Sequence, residues 1–219
     1  MNLPGFRRGP TAVTALLLAL LSVSGTSRAE PEAAEQANPL ETFLADLNTF
    51  SAGFEQTLVN ELGEEMERSV GALYVERPGK FHWAYWEPFP QLIVSDGRSL
   101  WIYDEDLEQV TIKDVTASID DSPAALLGGN VDVDAHYVVI EAEETEGVRW
   151  LELTPRDIES QYETVRLGFR ERELAAMELF DNLGQKTRIV FQDVRRNPSL
   201  EEGLFQFVPP PDIDIVDER

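Results

Sequence analysis

Apolar residues fall along this chain at two spacings, and each change of spacing marks a boundary. Leu40, Phe43, Leu44 and Leu47 recur at i, i+3, i+4 and i+7. Asn38-Pro39 stands before them as N-cap and first helical residue, with Glu41 at the third position, so the pattern predicts a short helix with one apolar stripe. From Phe50 the period is two: Phe50, Ala52, Phe54 and Leu58 alternate with Ser51, Gly53, Glu55 and Thr57 until Leu62-Gly63-Glu64-Glu65 turns the chain. A second strand runs from Met66 to Glu76, and Arg77-Pro78-Gly79 turns it. Four shorter runs follow, at residues 81–85, 91–94, 100–103 and 109–112, with Asp96-Gly97 as a hairpin signal between two of them. Ser122-Pro123 is read as the cap of a short helix through Ala124-Ala125-Leu126-Leu127, which Gly128-Gly129 ends. Alternation resumes over residues 137–142, 148–154, 162–169, 174–180 and 186–194. Asn197-Pro198-Ser199 reads as a further helix cap and Phe205-Gln206-Phe207 as a last strand.

The pattern predicts a mainly β chain of about eleven strands in an antiparallel meander, with two or three short helices. A sheet that wide does not stay flat; it curls towards a barrel. Its few helices are strongly apolar on one side. Two architectures answer to this: a container whose apolar concave face is lidded by helices, and an ordinary filled barrel.

The first 29 residues follow another logic. Arg7, Arg8 and Arg28 are their only charges, Ala12 to Val23 is mostly apolar, and Ser27-Arg28-Ala29 sets small residues at −3 and −1 of a cleavage point before Glu30. That is the layout of a secretory signal peptide, and the apolar run is short for a membrane span. The expected organisation is a signal peptide over residues 1–29 and a single domain over 30–219, whose first residues, Glu30 to Ala37, are acidic, alanine-rich and without an apolar face. No cysteine follows the cleavage point to carry a lipid.

Charge narrows the function. The chain has 41 acidic and 18 basic residues, and removing residues 1–29 takes away three of the basic ones and shifts the net charge from −23 to −26. Nucleic acid and anionic lipid headgroups are disfavoured as partners. Lysines number three, which is consistent with a salt-rich habitat. Without cysteine there is no disulfide, thiolate metal site or cysteine nucleophile. His82 and His136 stand alone; His82 alternates with Phe81 and Trp83 and is expected to face solvent. Val131-Asp132-Val133-Asp134 before His136 has the look of a metal loop, but its ligand count and spacing fit no metal-site type. No G-x-S-x-G elbow, S-x-x-K, phosphate loop or G-x-G-x-x-G occurs. The expectation is a non-enzyme without metal or cofactor.

Five stretches in register resemble one family: residues 50–56 (FSAGFEQ), 71–83 (GALYVERPGKFHW), 93–104 (IVSDGRSLWIYD), 122–127 (SPAALL) and 205–210 (FQFVPP). Together they are similar to the periplasmic outer-membrane lipoprotein carrier proteins, the LolA family, over essentially the whole chain beyond the signal. The resemblance implies an unclosed, half-barrel antiparallel sheet of eleven strands lidded by helices. It implies a soluble, monomeric periplasmic carrier without stable membrane insertion. Such a carrier receives lipoproteins from an inner-membrane ABC transporter, shields their acyl chains and passes them to an outer-membrane receptor. By the same resemblance Phe81, Trp83 and Ile93 line the cavity side of the sheet, Leu127 belongs to the lid, Met177 faces that lid, and Arg77 hydrogen-bonds the lid shut.

Read without the family, these residues are plainer. Arg77 before Pro78-Gly79 ends a strand in solvent, and Phe81, Trp83, Ile93 and Leu127 would serve a solid core equally well. Two departures from the family pattern stand out. Ala124-Ala125 are smaller than the bulky residues of some relatives, and the family's receptor, of similar fold, carries a lipid-bearing cysteine that this chain lacks. The alternatives are a carrier or sensor of another amphiphile, a glycolipid or a lipoprotein-derived signal, and a lipid-ester hydrolase, for which no nucleophile–base pair is found.

Overall fold

The computed structural model describes residues 39–115, 124–128 and 132–219. The predicted first helix is α1 (Pro39–Leu44), with Leu40 and Phe43 buried. A first meander follows: β1 (Thr49–Val59), β2 (Glu65–Glu76), β3 (Lys80–Glu87), β4 (Gln91–Asp96), β5 (Ser99–Asp104) and β6 (Gln109–Asp114). The short helices α2 (Ala124–Gly128) and α3 (Val133–His136) lead to a second meander. Its strands are β7 (Tyr137–Glu141), β8 (Arg149–Pro155), β9 (Tyr162–Arg170), β10 (Glu173–Asp181) and β11 (Lys186–Arg196). The expected caps at Asn38 and Ser122-Pro123, and the signal over residues 1–29, lie outside the described residues.

Strand β1 joins the two meanders. It pairs with β2 on one side and β11 on the other, so that Phe54 stands between Gly71 and Phe191. The eleven strands form one antiparallel sheet, extended at one edge by β12 (Asp214–Asp217), which runs parallel to β6. Its edges, β7 and β12, do not pair with each other: the barrel is open.

Two expectations give way here. Phe205-Gln206-Phe207 is not a strand. Phe205 is buried and Phe207 sits 5.7 Å from the Tyr103 ring, so the alternating aromatics pack a strap on the sheet's outer face rather than joining a ladder. The last strand comes later, after Pro209-Pro210-Pro211, where the Asp214 N–H reaches the Glu108 carbonyl at 3.0 Å. Asn197-Pro198-Ser199 caps no helix. Asn197 adopts φ 53° and turns its amide back on the segment after α1.

The alternation explains which side is buried. The concave face carries Phe50, Ala52 and Phe54 of β1, Leu73 and Val75 of β2, Leu151 and Leu153 of β8, and Val165, Leu167 and Phe169 of β9, all in one core cluster with α1 and α2. The outer face of the second meander carries a charge ladder instead. Glu152, Arg166, Glu178 and Arg188 are cross-strand neighbours on β8 to β11. Glu178, 5% exposed, accepts from Arg166 at 3.2 Å with Lys186 and Arg188 within 4 Å, and the Arg166 guanidinium lies 4.9 Å from the Trp150 ring. Burying one acid among three cations keeps that face polar without leaving a lone buried charge.

Because the strands are antiparallel, the turns gather on two rims. The lower rim holds the β2–β3 turn (residues 77–79), the β4–β5 turn (97–98), the β9–β10 turn (171–172) and the end of β11. The upper rim holds the β1–β2 turn (60–64), the β3–β4 turn (88–90), the β5–β6 turn (105–108) and the β10–β11 turn (182–185).

Candidate functional site

The lower rim fastens the helices to the sheet. Helix α1 ends without a glycine cap, so its last carbonyls need donors from elsewhere. They come from two arginines at the ends of β2 and β11. Arg77 Nη1 donates to the carbonyls of Leu44 (2.9 Å) and Leu47 (3.3 Å). Arg196 Nη2 donates to those of Phe43 and Ala45, both at 2.8 Å, and its guanidinium stands 5.4 Å from the Phe43 ring. Asn197 Nδ2 donates to the Asp46 carbonyl (2.9 Å), and its Oδ1 accepts from the N–H groups of Asn48 and Thr49. The Arg77 backbone N–H donates to the Asn48 carbonyl at 2.8 Å. Each carbonyl from Phe43 to Asn48 is thus engaged by the rim of the sheet. Helix α2 is tied to the same place, for the Gly79 N–H donates to the Gly128 carbonyl at 3.0 Å, two residues from Arg77. Arg77 is therefore not a strand end in solvent. Arg196 is not singled out in the sequence, where Asn197 reads only as a helix cap; a basic residue ending the strand that pairs with β1, directly before Asn-Pro, was the available signal.

Above the clamp lies the apolar interior. Phe81 and Trp83 of β3, Leu127 of α2 and Met177 of β10 are each 4% exposed or less, and Ile93 of β4, the cross-strand partner of Trp83, packs half-buried against the same cluster. All five belong to the one core cluster, which also takes in Leu40 and Phe43 of α1 and Leu126 of α2. Trp83 also belongs to an aromatic group, 5.3 Å from Phe54 and 6.1 Å from Tyr85. Its indole Nε1–H is buried without an acceptor. A donor so placed costs about 1–3 kcal/mol.

Towards the upper rim the same concave face turns polar. A cleft of about 330 Å³ is lined by Gln56, Glu67, Ser69, Tyr85, Phe89, Gln91 and Asp104, contributed by β1 to β5 and the β3–β4 turn. Ser69 Oγ donates to Glu67 (2.9 Å) and the Tyr85 hydroxyl to Oε1 of the Gln56 side chain (3.1 Å). Burial pushes the Tyr85 phenol well above its ordinary pKa, so it stays a neutral donor. The tips of this rim are apolar: Leu62, Phe89, Leu107 and Leu183 are all more than half exposed.

A larger cleft, about 610 Å³, lies on the outer face between Glu76, Lys80 and Asp96 and the strap at residues 200–206. Here His82 departs from expectation. It is half-buried on the outer face, packed against the strap, with Nδ1 2.9 Å from the Leu204 carbonyl and the Tyr74 ring at 5.8 Å. Desolvation holds its pKa below the ordinary 6.5, against the opposing pull of that carbonyl. As pH falls through about 6.5 the unfolded chain takes up this proton before the folded one, so stability declines with acidification. His82→Gln should flatten that part of the profile, by a fraction of the limiting ~1.4 kcal/mol per pH unit for one proton. Urea midpoints between pH 7.5 and 5.5 check this; an unchanged slope would show that His82 keeps its solvent pKa. The acidic loop before His136 has a structural role, since Asp132 caps α3 through the Ala135 N–H at 3.2 Å. Among the described residues no group of three or more acidic or histidine side chains is placed to hold a metal ion.

Comparison with known proteins fits this arrangement. The family model described as outer membrane lipoprotein carrier protein LolA matches residues 45–208. An outer-membrane lipoprotein carrier protein from Dechloromonas aromatica is 43% identical over 179 residues, covering 82% of this chain and 86% of its own. One of the same name from Nitrosomonas europaea is 37% identical over 201 residues, covering 91% and 98%. Among solved structures, an uncharacterized conserved protein from Thermus thermophilus shares the fold with a TM-score of 0.50 at 14% identity, covering 82% of this chain and 94% of that one.

Proposed function

We propose a carrier of lipoproteins, because the chain belongs to the outer-membrane lipoprotein carrier (LolA) family. The observation that carries the reading is an open sheet whose apolar concave face is covered by two short helices tied to one rim. In this reading the signal over residues 1–29 is removed on export and the protein works as a monomer in the periplasm. No helix among the described residues is long and apolar enough to cross a membrane. An inner-membrane ABC transporter supplies the lipoprotein, α1 and α2 move off the sheet, and acyl chains take the space among Phe81, Trp83, Ile93, Leu127 and Met177. An outer-membrane receptor then takes the cargo.

Energetics demand such a relay. Burial is worth about 0.8 kcal/mol per methylene, so a chain of roughly sixteen carbons gains on the order of 12 kcal/mol and does not leave into water. Cargo must pass from one apolar surface to another. The upper rim suits the contact with both partners, since the helices are fastened at the opposite one.

The test is a fluorescence titration with N-phenyl-1-naphthylamine, a neutral apolar dye. Saturable binding is expected, weakened about tenfold or more by Trp83→Asp, which sets a charge in the interior. Titration curves that coincide for the two proteins would point to a filled core. Native mass spectrometry of protein from its own periplasm names the cargo: an acylated polypeptide supports the reading, a glycolipid the other amphiphile.

A further inference from the structure

We infer that the polar cleft at the upper rim is a headgroup site that accepts the amide-bearing head of an acylated peptide and turns away anionic phosphate headgroups. The inference rests on the carrier reading and names the selectivity of the same concave face.

Position comes first. Gln56 continues the inward phase of Phe50, Ala52 and Phe54 along β1, and Gln91 that of Ile93 along β4. Gln56 is the cross-strand partner of Ser69, and Gln91 stands between Tyr85 and Asp104. Polar side chains therefore interrupt the apolar face at one level, on five neighbouring strands, at the end away from the arginine clamp. An amphiphile with its chains among the apolar residues places its head at this level.

Chemistry then selects the head. Glutamine amides and hydroxyls donate and accept, which matches peptide N–H and C=O groups. Glu67 and Asp104 add acceptors, and none of the lining residues carries a positive charge. A phosphate at this level meets two carboxylates and no cation, whereas a neutral peptide meets only partners. Below the cleft, next to Tyr85, the unpaired Trp83 indole N–H offers a donor to an ester or amide carbonyl at the junction of chain and head.

The experiment displaces N-phenyl-1-naphthylamine with two competitors kept short to stay monomeric: a dioctanoylglyceryl-cysteinyl peptide of neutral residues and dioctanoyl phosphatidylglycerol. The native protein should prefer the lipopeptide by tenfold or more. Gln56→Leu with Gln91→Leu should weaken the lipopeptide about tenfold and leave the dye unchanged. Glu67→Gln with Asp104→Asn, which keeps the size of both side chains and the acceptor for the Leu107 N–H, should strengthen phosphatidylglycerol about tenfold. If both double variants bind the dye normally and their preference stays within twofold of the native one, the headgroup site is wrong and the carrier stands. If the native protein binds no dye, the carrier reading falls and the headgroup site with it.

Discussion

Gly71→Ala should be the most damaging single methyl group in this protein. A Cβ at Gly71 would lie 1.9 Å from the Ala84 carbonyl oxygen and 2.7 Å from Cζ of Phe54. The carbonyl belongs to the β2–β3 ladder, where the register shifts between Val70 and Gly71, and it cannot retreat without opening that pairing. The Phe54 ring lies over the glycine and meets Trp83 and Tyr85 edge-on at 5.3 and 5.2 Å, so displacing it unpacks the aromatic group between the apolar interior and the polar cleft. Overpacking of a core commonly costs about 1–3 kcal/mol. With backbone in the way the loss should reach about 3 kcal/mol or more, roughly 10 °C in Tm for a domain of this size. Gly168→Ala is the control. There the added carbon meets Val148 and Trp150 side chains at 2.8–2.9 Å on the outer face. Side chains can turn aside, and the cost should stay at about 1 kcal/mol. Thermal unfolding of the two variants decides the matter; equal melting temperatures would refute the special tightness at Gly71.

That glycine shows what the sequence makes legible. A strand interior is an unfavourable place for glycine, and one standing between Val70 and Ala72 signals the close approach of another group, here the Phe54 ring. The strands themselves were legible because one face is buried, which enforces alternation and penalises any slip of register. Where burial is not periodic the signal fails. The strap at residues 198–213 runs without a ladder, so its Phe205 and Phe207 imitated a strand, and β12 beyond the three prolines is too short and too exposed to announce itself. Pairing with β11 brings Asn197 next to the segment after α1, and nothing local distinguishes that amide from a helix cap. The cleft was legible in principle: Gln56, Ser69, Gln91 and Asp104 each occupy an apolar phase. Only the register shows that these exceptions sit side by side.

Arg77→Leu should load cargo and fail to release it. The native arginine spans the carbonyls of Leu44 and Leu47, and a hydrogen bond from a charged donor is worth about 1.5–3 kcal/mol, with the lower end apt for a half-exposed rim. Beside the roughly 12 kcal/mol of one buried chain that is small, so on the carrier reading cargo would displace α1 readily. Yet about 1.4 kcal/mol is tenfold in a population and about 2.7 a hundredfold, enough to set the resting state. On the carrier reading the clamp would re-form only when the chains leave, so its energy would favour unloading. With leucine that driving force is gone and the interior gains apolar surface. Cells that depend on the variant should accumulate carrier–lipoprotein complex in the periplasm, measurable by co-purification. Arg196→Leu should share the defect, because Arg196 holds the neighbouring carbonyls of Phe43 and Ala45. A variant at Arg77 that loads poorly and unloads normally would instead make this residue a contact for the transporter, and α1 would be held closed by Arg196 and Asn197.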